Sequence, residues 1–398
     1  MLNAYIYDGL RSPFGRHAGA LSSVRPDDLL AEVIRALVKR NAFDPASIED
    51  VIAGCTNQAG EDARNVARHA ALLAGLPVEV GGLTVNRLCG SGLAAVADAA
   101  RAVSCGEGEL FVAGGTESMS RAPFVISKGD SPFSRNVQIF DSTLGARFPN
   151  PKVTKQYGAD TMPETADNIA KDLGISREDS DRFAAASQAK YEAARAAGFF
   201  KEEILPIEIA GRKGSTLVEV DEHPRPDTTL DKLAGLRPLF EGGVVTAGNA
   251  SGINDGAGAL LIGSLQAGEK AGVKPRGRIL ASAIAGVPPR VMGLGPVPAS
   301  RKALARTGLT LKDMDVIEIN EAFATQVLGC LKQLEIPFDD SRVNPNGGAI
   351  AVGHPLGASG ARLALTALRQ LERSGGRYAL VSMCIGVGQG IAVVIERV

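Results

Sequence analysis

Two segments of the chain, 265 residues apart, repeat one plan, and that spacing constrains the fold more than any other feature. Ser47-Ile48-Glu49-Asp50-Val51-Ile52 leads into Ala53-Gly54-Cys55, and Lys312-Asp313-Met314-Asp315-Val316-Ile317 leads into Glu318-Ile319-Asn320. The same offset carries Cys89 onto His354. Each of these is followed by small residues, Gly90-Ser91-Gly92-Leu93 or Gly357-Ala358-Ser359-Gly360, and then by a helical pattern and an apolar strand, 110–113 or 378–383. Two agreeing offsets favour one duplicated α/β unit over chance similarity of unrelated strand–helix pairs.

The local patterns fit this plan. Leu29, Leu30, Val33, Ile34 and Leu37 predict an amphipathic helix over 28–38, and 50–54 reads as a short buried strand. Residues 91–103 and the start of 357–371 are almost wholly small and apolar. A helix apolar all round has little surface for water, so two of them predict a central layer packed between two sheets. The uncharged stretch 379–395 holds Gln389 and three glycines and reads as two buried strands and a turn, not a membrane span.

Between the halves the character changes. Residues 119–155 are rich in Ser, Pro, Arg, Asn and Phe without periodicity and read as an ordered loop excursion. Helices follow over 162–173, with Pro163 in the first turn and Glu164 at the positive end of the dipole, and over 177–197, with Ser176 as N-cap and Asp179 three residues on. Residues 221–237 read as polar loop. The expected units are 1–118 with 247–269, an inserted segment 119–246, and 270–398.

Charge and cysteine usage exclude several classes. Lys and Arg number 43 against 44 Asp and Glu, so no basic excess marks a broad nucleic-acid surface. Cysteines 55, 89, 105, 330 and 384 form no C-x-x-C pair and are odd in number, which reads as reduced thiols of a cytoplasmic protein. Histidines 17, 69, 223 and 354 form no ligand cluster, so no metal site is expected. Asp8 interrupts any signal-peptide pattern, and Glu-Arg-Val is not a peroxisomal address. The Gly-rich stretch 242–258 lacks both a P-loop and a dinucleotide fingerprint.

Four residues have the chemistry of a site. Cys89 stands at a Gly-flanked strand-to-helix junction, where backbone N–H groups and the helix dipole are expected to lower a thiol pKa. A small buried hydrophobe is the plainer alternative. His354 lies in an apolar, Gly-rich loop; as the repeat partner of Cys89 it can complete a Cys–His pair, the usual route to a nucleophilic thiolate. Cys384, in the Gly-rich run 384–390, offers an acid/base or a packed small side chain. Asn320, at the C-terminal end of the strand 316–319, offers an oxyanion donor or a helix N-cap.

Taken together, Asn-Arg-Leu-Cys-Gly-Ser-Gly-Leu at 86–93, Asn-Glu-Ala-Phe-Ala at 320–324, Gly-Gly-Ala-Ile-Ala-Val-Gly-His-Pro-Leu-Gly-Ala-Ser-Gly at 347–360 and Cys-Ile-Gly-Val-Gly-Gln-Gly at 384–390 resemble the thiolases. Thr-Ala-Gly-Asn-Ala-Ser-Gly-Ile-Asn-Asp-Gly-Ala at 246–257 belongs to the same pattern, and the resemblance covers essentially the whole chain. It implies an α/β thiolase fold of two duplicated halves in five layers, αβαβα, with an inserted loop domain that binds coenzyme A. It implies a homo-oligomer, usually a tetramer, acting on acyl-CoA and CoA without metal or redox cofactor. By position, Cys89 is the acylated nucleophile, His354 its activator, and Cys384 the acid/base at the substrate α-carbon. Asn320 holds a water that with His354 forms one oxyanion hole, and the N–H groups of Cys89 and Gly386 form the other. Met162, Arg225, Ala247, Gly248, Ser251 and Phe323 fall where the family contacts coenzyme A.

The related condensing enzymes of fatty-acid synthesis carry a second histidine near the position of Asn320, which sets this chain apart from them. Within the thiolases, the segments 56–68, 120–125, 133–136, 145–151 and 162–166 resemble the 3-oxoadipyl-CoA type. Thr161-Met162 stands where the acetoacetyl-CoA type carries His-Met. A dicarboxylic acyl group needs a counter-charge or water beside its distal carboxylate. Arg121, Lys128, Arg135 and Arg147 of the loop are the candidates, with Arg147 first.

Overall fold

The computed structural model describes residues 1–212 and 214–398. The first half runs β1 (Ala4–Arg11), β2 (Gly15–Arg16), α1 (Pro26–Lys39), β3 (Ile48–Gly54), α2 (Val66–Leu73), β4 (Gly81–Val85), α3 (Ser91–Cys105) and β5 (Leu110–Ser118). An excursion follows: β6 (Phe124–Ile126), β7 (Ile139–Asp141), α4 (Pro151–Tyr157), α5 (Met162–Leu173), α6 (Arg177–Ala196), β8 (Ile207–Gly211), β9 (Gly214–Val218) and α7 (Leu230–Ala234). The chain returns through β10 (Asn254–Gly263) and α8 (Leu265–Ala271). The second half is β11 (Gly277–Gly286), α9 (Pro296–Thr307), β12 (Val316–Ile319), α10 (Ala324–Leu334), α11 (Ala349–Val352), α12 (Leu356–Ser374), β13 (Tyr378–Ile385) and β14 (Gln389–Arg397).

The repeat is structural. β3 ends at Gly54 and β12 at Ile319; α3 begins at Ser91 and α12 at Leu356, both 265 residues apart. β3 pairs in parallel with β5, and β12 in parallel with β13. The strand order is β12-β13-β14-β11-β1-β10-β5-β3-β4. The two expected sheets are thus one hydrogen-bonded path, continuous across Ala4–Ile6 of β1 and Gly277–Ile279 of β11. Alternating side chains bury both faces. Ile52, Phe111 and Ala113 turn inward with Val381, Val393 and Ile395, while Val51, Leu110 and Val112 pack outward on α1 and α2. Leu380, Ala392 and Val394 pack outward on α9 and α10. Five layers result, with α3 and α12 in the middle.

The two central helices cross at their first turns. A Cβ on Gly92 would stand 2.5 Å from Gly357 O, and one on Gly360 would collide with the Leu93 backbone. No larger residue fits there, and this close approach brings the chain positions just after Cys89 and His354 against each other.

The excursion differs in part from its expected form. Residues 119–155 contain the β6–β7 hairpin and reach α4, the helix opened by Pro151 behind the Asn150 N-cap. Residues 221–237 include α7, and Asp221 itself is buried. Asp221 takes two hydrogen bonds from the buried Arg11 guanidinium, at 2.6 and 2.9 Å, and one from Tyr191 Oη at 3.0 Å. Glu203 accepts from Arg11 Nε at 2.7 Å. A charge cluster so fully partnered clamps the excursion onto β1. α5 and α6 start where expected, α6 behind its Ser176 cap; α5 also has a Thr161–Glu164 capping box.

Candidate functional site

Cys89 sits in a tight turn between β4 and α3. Leu88 N–H donates to Asn86 Oδ1 at 2.9 Å; Ser91 Oγ accepts from Arg87 N–H at 2.8 Å and donates to Leu88 O at 2.6 Å. These bonds hold Leu88 at φ 46°, a left-handed conformation that costs a non-glycine residue about 1–3 kcal/mol. Opposite it, the loop between β13 and β14 holds Val387 at φ 65°, and the Gly386 N–H points at the Cys89 thiol. The expected lowering of the thiol pKa is overturned. Burial pushes Cys89 up to about 11, although the N–H groups of Gly386 and of Cys89 itself pull it down. Part of its side chain still meets solvent. Cys384, at the end of β13, is fully buried, and its thiol is raised by burial and then by the neighbouring Cys89 and Cys330.

His354 is buried, and both ring nitrogens are engaged. Nδ1 lies 2.6 Å from Ser359 Oγ, whose own O–H donates to Pro355 O at 2.8 Å. Nδ1 must therefore carry the proton, and Nε2 is left as an acceptor. Asn320 Nδ2 stands 3.2 Å from Nε2 and donates to it. Asn320 does not cap a helix, since α10 starts at Ala324 behind Phe323. Burial, then the charge of Arg362, push His354 down to about 3, so the resting imidazole is neutral.

Three residues that the sequence reading passed over hold this arrangement. Asn254 Oδ1 accepts from the His354 N–H at 2.9 Å. Glu321 accepts from Ser187 Oγ, Asn344 Nδ2 and Ile350 N–H, fixing the loop before His354. Glu117 accepts from the N–H groups of Thr56, Asn57 and Gly357 and ties both halves together. The signal for each was a carboxylate or amide inside an otherwise apolar strand or motif. Cys55, Asp62 and Glu117 group their donor atoms within 4.8 Å, but backbone N–H groups already occupy both carboxylates.

A cavity of about 170 Å³ opens beside α7, lined by Arg225, Lys232, His223, Ala247, Gly248 and Ala250 among others. A Cβ on Gly248 would meet Leu233 Cδ2 and Leu236 Cδ1 at 2.5 Å, so a side chain there would have to displace both leucine ends. Ala250 packs against a cluster containing Phe323, Ala322 and Cys384. Ser251 N–H donates to Ala322 O at 2.9 Å, and the Met162 sulfur lies 3.7 Å from where a Gly386 Cβ would stand. Arg225, Ala247 and Gly248 line this cavity, while Phe323 packs in the cluster that holds Cys384 and Met162 lies beside Gly386.

The thiolase N-terminal domain family matches residues 4–266 and the thiolase C-terminal domain family residues 273–397. The chain belongs to the thiolase family. This thiolase is 59% identical over 401 residues to a 3-oxoadipyl-CoA/3-oxo-5,6-dehydrosuberyl-CoA thiolase of Escherichia coli, covering 100% of both chains. It is 59% identical over 396 residues to a beta-ketoadipyl-CoA thiolase of Pseudomonas aeruginosa, covering 99% of each. It superposes with TM-score 0.92 on human mitochondrial 3-ketoacyl-CoA thiolase in complex with CoA, at 41% identity, covering 100% of this chain and 98% of that one.

Among the loop cations of this thiolase, Arg121 is taken by Glu61, at 2.5 and 2.6 Å. Lys128 and Arg135 are exposed. Arg147 is half-buried and gives one hydrogen bond, 3.1 Å to Asn57 O. No helix among the described residues is long and apolar enough to cross a membrane.

Proposed function

We propose that this thiolase cleaves 3-oxoadipyl-CoA with CoA, giving succinyl-CoA and acetyl-CoA. The observation that carries the reading is the meeting of Cys89, Cys384 and the Gly386 N–H, beside a cavity lined by Arg225, Lys232 and Ala250, the last of which packs on the cluster that holds Cys384. The full-length likeness to relatives named for 3-oxoadipyl-CoA supports the substrate.

The atoms balance without a further reagent. Cys89 Sγ attacks the 3-oxo carbonyl carbon, and its proton passes to His354 Nε2. The new Nε2–H and Asn320, directly or through water, donate to one developing oxyanion; the N–H groups of Cys89 and Gly386 donate to the other. The C2–C3 bond breaks, the succinyl group stays on Cys89, and the acetyl-CoA enolate takes a proton from Cys384. CoA then attacks the thioester, and its thiol proton returns through the same groups. The chemistry needs no metal or redox cofactor, and activity in EDTA is expected to be full. We place the CoA contacts at Met162, Arg225, Ala247, Gly248, Ser251 and Phe323, and a distal-carboxylate contact at Arg147.

The apolar side chains exposed on the β6–β7 hairpin, Phe124, Ile126 and Ile139, support self-association; a tetrameric assembly and a cytoplasmic location belong to the same proposal. The functional units are read as 1–118 with 247–269, the CoA-binding insertion 119–246, and 270–398. The test is thiolysis of 3-oxoadipyl-CoA and acetoacetyl-CoA side by side. The reading expects kcat/KM to favour the dicarboxylic substrate by at least tenfold. A preference for acetoacetyl-CoA would return the chain to the acetyl-CoA acetyltransferase alternative.

A further inference from the structure

The turn that carries Cys89 and the loop that carries His354 belong to different halves of the chain, and one carboxylate holds the backbone behind both. Glu117, next to the end of β5, is buried. Its Oε2 accepts from Thr56 N–H at 3.0 Å and from Gly357 N–H at 2.9 Å; its Oε1 accepts from Asn57 N–H at 2.9 Å. The chemistry above gives this side chain no task.

Both bonds at Oε2 lead on to a reacting side chain. On the thiol side, Thr56 O accepts from Asn86 Nδ2 at 3.1 Å and Thr56 Oγ1 donates to Leu88 O at 3.4 Å, so the segment that Glu117 grips in turn grips the residues before Cys89. On the imidazole side, Gly357 lies in the first turn of α12, two residues before Ser359, whose Oγ stands 2.6 Å from His354 Nδ1. A Cβ on Gly357 would stand 2.3 Å from Thr116 O and 2.5 Å from Gly54 O, and one on Gly115 would stand 2.2 Å from Gly357 O. The ends of β3 and β5 thus meet the start of α12 backbone to backbone, and Glu117 bonds across that seam.

We propose that Glu117 is a positioning residue of the thiolase reaction: by holding the Thr56 and Gly357 N–H groups on one oxygen it sets the distance and angle between the Cys89 thiol and His354 Nε2. Glu117 acts through backbone on both sides, and its part is geometric. A misplacement of about 1 Å between reacting groups can cost about 10²-fold in rate. The length of the side chain therefore matters more than its charge.

The inference rests on His354 accepting the Cys89 proton, and the experiment keeps the two ideas apart. Acylation of Cys89 by acetyl-CoA is timed by quench and peptide mass spectrometry at about pH 8.5, where the Glu117 carboxyl, pushed by burial up to about 7, is ionised. Glu117→Asp keeps the charge and both oxygens but withdraws them by one methylene. It is expected to slow acylation at least tenfold, toward about 10²-fold, with KM for CoA and iodoacetamide alkylation of Cys89 like the parent. Glu117→Gln keeps the length; its one oxygen can take the Oε2 place and give up only the half-exposed Asn57. Its acylation is expected to stay within about threefold of the parent. In a His354→Gln background, itself slow, adding Glu117→Asp should slow acylation no further, since the two act through one step. Parent-like acylation in Glu117→Asp, with His354→Gln slow, would overturn the inference and leave His354 as the base. Equal slowing by Glu117→Asp in both backgrounds would also overturn it, because a general loss of structure acts that way. Parent-like acylation in His354→Gln would overturn the assignment of His354 and the inference with it. Should Glu117→Asp fail to fold, a tenfold loss in Glu117→Gln would show that charge and not length matters, and would overturn the inference.

Discussion

The pH dependence of Cys89 alkylation puts the site's electrostatics to a direct test. With its thiol pushed to about 11, Cys89 is ionised at pH 7 in only about one molecule in 10⁴. An ordinary free cysteine is ionised to a few per cent under the same conditions. His354 is pushed down to about 3, so burial opposes transfer of the proton from thiol to imidazole on both sides in the resting site. Cys89 and His354 are therefore expected to rest as neutral thiol and neutral imidazole. The thiolate forms only as an acyl carbonyl enters and the Gly386 and Cys89 N–H groups begin to stabilise its oxyanion. The assay is iodoacetamide alkylation of Cys89, followed by peptide mass spectrometry across pH 6–10 in the absence of CoA. The rate constant should climb about tenfold per pH unit from pH 7 to 10 without levelling. A plateau beginning below about pH 8 would mean a resting thiolate–imidazolium pair, and the argument from burial would fail.

Other outcomes follow from the same geometry. Cys384→Ser should still accept an acyl group on Cys89 but exchange substrate α-protons and turn over slower by about 10²–10⁴-fold; loss of acylation in a folded variant would give Cys384 a different role. Arg147→Met should lose roughly 10²-fold in kcat/KM on 3-oxoadipyl-CoA if a charge-assisted pair is removed, and little on acetoacetyl-CoA; equal losses would remove Arg147 from the acyl pocket. Gly360→Ala should cost about 3 kcal/mol or more in denaturant unfolding, because the methyl has only the Leu93 backbone to enter; a parent-like midpoint would contradict the close crossing of α3 and α12.

Much of the fold could be read from the chain because the duplication and the hydrophobic periods are local or evenly spaced signals. The α5 boundaries are read without error, and α6 to within one residue, since Pro163, Glu164, Ser176 and Asp179 mark their starts within a few residues. The meeting of Cys89 with Gly386 was reached through the family resemblance, not through spacing. What could not be read depends on packing between distant segments. The Cys89 thiol is raised by burial, which the sequence of its own turn does not contain. Asp221 was read as loop because its partner Arg11 lies 210 residues away. Glu117 sits in a strand whose other residues look like core, and its three N–H donors come from Thr56, Asn57 and, 240 residues on, Gly357. Short hairpins such as β6–β7 bury too little to impose a period on residues 119–155.

The most direct measurement is rapid quench of the protein with 3-oxoadipyl-CoA in the absence of free CoA, followed by peptide mass spectrometry and analysis of the released thioester. The account predicts one succinyl group per subunit, on Cys89, with an equal amount of acetyl-CoA released. A succinyl group on Cys384, or acetyl-CoA released with Cys89 unmodified, would contradict it.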